Sequence, residues 1–225
     1  MISRGRFDLL CDPRSCFLQF ENTVINNPIC RYTLPNRPSI YSANTLKNYP
    51  TAFSLPITYL AVVGNETADG NFFHFRLSVV SETPSDHEQA VRIYMQPSYT
   101  DMSCPMRGVA LIEHITYPFS EDHGNNLTPF CVPVSSDMTV ATLLRIIFDK
   151  YNMDQYVRSF NDAGQGCRHW CASVLERLAQ EELIDRGVPQ EFADYEVQGN
   201  RKFGSKFPMP RIRGTFHVQS REPEG

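Results

Sequence analysis

The middle of the chain alternates apolar and polar positions with a period of two. Residues 57–63 (Ile-Thr-Tyr-Leu-Ala-Val-Val) have the β-branched and aromatic content of a strand. Residues 72–80 and 90–96 repeat that content, and Pro97 stops the third run. In 107–117, Val109, Leu111, Glu113, Ile115 and Tyr117 fall on one side, and Ala110, Ile112, His114 and Thr116 on the other. Short polar turns join the four runs, which predicts an antiparallel meander. After a polar loop at 121–129 the period changes. Val140, Leu143, Leu144, Ile147, Phe148 and Tyr151 recur at spacings of three and four. That predicts a helix over 139–150, N-capped by Ser136 or Asp137. A second short helix is expected over 154–160. A third opens at Cys167, with Trp170, Cys171, Val174, Leu175 and Leu178 on one side, and runs to about 185, before Gly187 and Pro189. Residues 191–195 read as one more helical turn and 214–220 as a final strand. The fold class is α+β, an antiparallel sheet with packed helices.

Before residue 51 the pattern is lost. Pro28, Pro35, Pro38 and Pro50 forbid a long helix, and the apolar piece at 16–20 suits an edge strand or an anchor. The expected organisation is an irregular arm at 1–50, a single domain at 51–220 and a loose tail at 221–225. A hydrophobic content of 41% with 20% charged residues is that of a globular chain, not a disordered one. The net charge of −4 argues against a broadly basic nucleic-acid binder. No apolar run reaches bilayer length and the first ten residues lack a signal-peptide core, so no membrane partner and a cytoplasmic location are expected. The seven cysteines are odd in number and lack metal-type pairing, which predicts reduced thiols, no metal and no cofactor.

One stretch concentrates the chemistry: Gly164-Gln165-Gly166-Cys167-Arg168-His169-Trp170-Cys171. Two glycines frame a turn and place Cys167 at the first or second helical position. A thiol there meets unpaired backbone N–H groups and the positive end of the helix dipole, both of which favour the nucleophilic thiolate. The same residue read as a small buried hydrophobe needs no such surroundings. Gln165, Gly166 and Trp170 are the expected substrate contacts around it.

A cysteine nucleophile needs a basic partner. His87 and His123 lie in polar turns, and His169 points about 100° away from Cys167 on the helix. His114 lies on the fourth strand, His217 on the last, and His74 near the head of the second. A histidine followed by an aromatic residue at the head of a strand, a second strand ending at a proline, and a later Cys-x-His-aromatic at a helix start resemble the circularly permuted NlpC/P60 enzymes. The lecithin-retinol acyltransferase group is the familiar example. The resemblance covers about residues 59–178 and implies a permuted papain-like architecture. It implies Cys167 as nucleophile, His74 as its base, and Tyr94 or Gln96 at the third catalytic position, where those enzymes carry a different polar residue. His217 is the alternative partner in an unpermuted fold. Gln96 or Gln165 would assist backbone N–H groups in holding the oxyanion.

The order Gly-x-Gly-Cys-Arg-x-Trp after a helical segment also looks like a fungal domain family associated with arginine-containing cyclodipeptide synthases. That likeness implies a tRNA-dependent synthase in secondary metabolism, taking an aminoacyl group from arginyl-tRNA onto Cys167 and passing it to a second amino acid. Arg201, Lys202, Lys206, Arg211 and Arg213 would then bind tRNA phosphates, with aminoacyl-tRNA and a small amino-acid substrate as partners. A solvated basic loop explains that run equally. A cysteine hydrolase (peptidase, amidase or acyl esterase) of the same fold and a catalytically inactive binding module are the competing readings. The oligomeric state is left open.

Overall fold

A computed structural model describes residues 40–42, 49–82, 88–97, 108–115, 127–135, 137–155 and 166–213. Six strands form one sheet: β1 (Ile40–Ser42), β2 (Tyr59–Glu66), β3 (Phe73–Glu82), β4 (Glu88–Pro97), β5 (Gly108–Ile115) and β6 (Phe130–Pro133). The order across the sheet is β1-β5-β4-β3-β2-β6. The expected meander β2–β5 is present and antiparallel throughout. The part of the arm at 40–42 is not irregular: β1 adds to the edge, parallel to β5. The architecture is α+β.

Alternation sorts the strands onto two faces. Phe73, Phe75, Leu77 and Val79 of β3 join Leu60 and Val62 of β2 and Ile93 and Met95 of β4 in the main core. Val80, Ala61, Val63, Ala90 and Ile115 form a smaller apolar cluster on the other face. That second face also carries His74, Arg76 and Ser78 of β3, by the same alternation.

Helices cover the first face. Helix α1 begins at Val140–Leu144 and widens into a π-helical turn over Arg145–Lys150. Its cap is neither Ser136, which lies outside the described residues, nor Asp137: Thr139 accepts the Thr142 N–H at 3.2 Å. The expected helix at 154–160 begins as a plain turn at Asp154, and 156–160 lie outside the described residues. Helix α2 (Cys167–Gln180) packs on β3 and ends earlier than expected, at Gln180. Helix α3 (Val188–Phe203) is a full 16-residue helix where one turn was expected, with Pro189 in its first turn and Gly204 after its end. Its buried positions are Val188, Phe192, Glu196 and Gly199, so a carboxylate and a glycine occupy half of the inward stripe. Gly199 is required there, since a Cβ would lie 2.6 Å from the ring of the buried Phe207. The expected strand at 214–220 lies outside the described residues. Among the described residues, no helix is long and apolar enough to cross a membrane, and Cys131, Cys167 and Cys171 are free thiols.

Candidate active site

The site lies where two strands part. The β3–β4 ladder runs from Leu77↔Ile93 to Glu82↔Glu88, while the far end of β4 pairs only with β5 among the described residues. Among the described residues the head of β3, from Phe73 to Arg76, therefore has a partner strand only on its β2 side. The start of α2 fills the opening. Cys167, the first residue of that helix, accepts the Phe75 N–H on its sulfur at 3.1 Å. The thiol stands in for the missing strand, satisfying an amide that the ladder abandons.

His74 completes the arrangement, with its imidazole hydrogen-bonded to the Cys167 thiol. Burial of Cys167, which is 3% exposed, works against its ionisation. The charge and hydrogen bond of His74 outweigh it, helped by the N–H groups of Phe75 and Gly166, and the thiol titrates below the ordinary value. Burial likewise opposes protonation of His74, and Arg76 adds repulsion. The Cys167 thiolate overcomes both, and His74 titrates above the ordinary imidazole value. The pair is poised toward thiolate and imidazolium. Cys171, one turn further in, is pushed the opposite way: burial and the neighbouring Cys167 hold its thiol well above the ordinary value.

The other histidines do not compete for Cys167 among the described residues. His114 is buried, contacts Gln89 Oε1 at 3.1 Å and stacks on Tyr49. His169 is half-buried, and burial together with Arg211 and Arg213 brings it down to about 4. His87, His123 and His217 lie outside the described residues, as does Gln165.

A small cleft opens beside the sulfur. Phe73, Phe75, Pro208 and Ile212 give it an apolar lining, and Arg168 and Lys206 place cations at its wall. Arg168 is itself buried. It pairs with Glu196 at 3.1 Å, lies 4.2 Å from the Phe207 ring centroid, and donates to the Pro208 carbonyl. Glu196, 1% exposed, also accepts from Arg211 Nε at 2.8 Å. This cluster fastens the chain after α3 beside Cys167. Sequence reasoning missed it, because it depends on a carboxylate in the core stripe of a helix whose extent the pattern conceals.

Two expectations are corrected. Trp170 does not line the cleft: it is fully buried, and its indole N–H donates to the Met153 carbonyl at 2.8 Å. The basic run is not one free patch. Lys206 pairs with Glu66 and Arg211 with Glu196, leaving Arg201, Lys202 and Arg213 exposed. The Tyr94 and His74 rings meet at right angles, centroids 5.7 Å apart, so Tyr94 is an aromatic neighbour of the histidine. Gln96 lies on the stretch of β4 beyond the β3 pairing. Gly166 is the N-cap of α2 and gives its N–H to the sulfur.

A family model matches residues 60–217, more than half of the chain. The chain belongs to the DUF7770 family, a domain of unknown function. No curated protein and no solved structure matches it. The DUF7770 match spans both His74 and Cys167, together with the Arg168–Glu196–Arg211 cluster, so every part of the site falls inside the family's own unit.

Proposed function

We propose that this DUF7770 protein is a thiol acyltransferase, in which Cys167 carries an acyl or aminoacyl group between a donor and an acceptor. The observation that carries the reading is the Cys167 sulfur, held at a helix start by the Phe75 N–H at 3.1 Å and by the His74 imidazole. In the reaction His74 takes the thiol proton, and the thiolate forms a C–S bond to the donor's carbonyl carbon. The N–H groups of the first turn of α2 face the oxyanion. The intermediate collapses as the leaving group takes the proton from His74. An amine, or water, then attacks the thioester with His74 as base.

The permuted papain-like architecture is part of the proposal, and its support is chain order: the histidine strand precedes the cysteine helix, which abuts it. Among donors we propose an aminoacyl ester, arginyl-tRNA being the most specific. Exposed Arg201, Lys202 and Arg213 support phosphate docking. The test is intact-mass spectrometry after incubation with arginyl-tRNA and, separately, with activated thioesters. A mass gain at Cys167, absent in Cys167→Ala, is expected, and a cyclic dipeptide when a second amino acid is added. A thioester adduct without an arginyl one overturns the tRNA donor. If no donor acylates Cys167, and iodoacetamide leaves it untouched below pH 8, the enzyme reading falls.

A further inference from the structure

Asn65 stands directly opposite His74 in the β2–β3 ladder. Opposed residues of an antiparallel pair share a face, with Cβ atoms about 4.5–5.5 Å apart. Asparagine is a poor strand former, yet this one lies inside β2. Its Oδ1 is buried and accepts no hydrogen bond among the described residues. A buried acceptor left unmade is costly, so the atom calls for a donor.

His74 supplies one. A neutral imidazole has a single N–H, but an imidazolium has two. Once His74 holds the thiol's proton, one N–H faces the Cys167 sulfur and the second needs an acceptor. Cys167 approaches from the side on which β4 has parted, and Asn65 belongs to the strand on the other side. The charged and titratable groups around the pair do not fill the role. Arg76 of β3 has only donors, Tyr94 of β4 meets the imidazole as a perpendicular ring, and Cys171 and Arg168 of α2 interact with Cys167 rather than with the ring.

We propose that Asn65 is the positioning residue of His74, its Oδ1 accepting the ring N–H turned away from Cys167 whenever His74 carries the thiol's proton. The proposal rests on the Cys167–His74 reading. It assigns the third position to β2, before the histidine in the chain, and not to Tyr94 or Gln96 of β4.

The test measures iodoacetamide alkylation of the folded protein against pH, read at Cys167 by peptide mass spectrometry. Asn65→Ala removes the acceptor, destabilises the imidazolium and moves the midpoint up by about one pH unit. Asn65→Asp offers a carboxylate, favours the imidazolium and moves it down. A packing role alone would not drive the two variants in opposite directions. Unmoved midpoints, or shifts in the same direction, overturn the proposal. So does a Gln96→Ala shift with both Asn65 variants silent. If Asn65→Ala fails to fold, the isosteric Asn65→Asp decides alone, and an unchanged or raised midpoint overturns. A wild-type midpoint at the ordinary thiol value sinks the Cys167–His74 pair itself, whereas a low wild-type midpoint with indifferent Asn65 variants sinks only the role of Asn65.

Discussion

Replacing Glu196 by alanine isolates what the buried charge cluster contributes. The carboxylate is 1% exposed, and the Arg168 side chain that it faces at 3.1 Å is 8% exposed. Without it, Arg168 keeps the Phe207 ring at 4.2 Å, the Phe75 ring at 5.7 Å and the Pro208 carbonyl, but no counter-charge from Glu196. Stripping one partner from a buried ion pair costs about 3–5 kcal/mol. Arg211 is 20% exposed and can turn to water, which puts the expected loss near the lower end, about 3 kcal/mol. A chain of this size loses roughly 2–4 °C of Tm per kcal/mol, so a drop of about 6–12 °C is expected. The assay is a thermal melt followed by circular dichroism at pH 7. A second effect has the opposite flavour. Arg168 attracts the Cys167 thiolate, and without Glu196 its charge is uncompensated. The alkylation midpoint of Cys167 is therefore expected to fall while stability falls. A change in Tm under about 3 °C would refute the reasoning, since it would mean that the buried guanidinium finds equal compensation elsewhere.

Two further outcomes follow from the sulfur's surroundings. His74→Ala removes the largest influence that lowers the Cys167 pKa and leaves burial, which raises it; alkylation, expected in the wild type below the ordinary thiol value of 9.0, should begin near or above that value. Cys167→Ala leaves the Phe75 N–H without its acceptor, a loss of about 1–3 kcal/mol by urea titration, whereas Cys167→Ser keeps an oxygen there and should be milder; equal losses would show that the sulfur is not satisfying that amide.

The strands of the meander were legible from their β-branched and aromatic content between turn residues, even where both faces are buried, as in Tyr59–Glu66. β1 was not, because three residues carry no period. α3 was not, because its inward stripe spends Glu196 on an ion pair and Gly199 on a close approach by Phe207, and both look polar or breaking in one dimension. At the site, Cys167 and His74 could be found from local context, a glycine turn before a helix and a histidine heading an aromatic strand. Their partners could not. The Phe75 amide is free only because β3 and β4 part, a property of pairing rather than of residue type. Trp170 misled for a related reason: its proximity to Cys167 in sequence places it on the inward side of α2, where its indole serves the core.

The parting of β3 and β4 links the pairing of the sheet to the ionisation of Cys167. An interior strand must satisfy its N–H groups, and at Phe75 the chain does so with a sulfur instead of a carbonyl. A thiolate accepts a hydrogen bond better than a thiol does, so the bond that repairs the sheet also favours the ionised form. The N–H of Gly166 adds to it from the turn before the helix. Burial, which pushes the Cys171 thiol up, is outweighed at Cys167 by the His74 charge and by donors already fixed around the sulfur. Two thiols one helical turn apart thus diverge in character through their surroundings: His74 and then the unpaired Phe75 N–H lower the one, while burial and the neighbouring Cys167 raise the other.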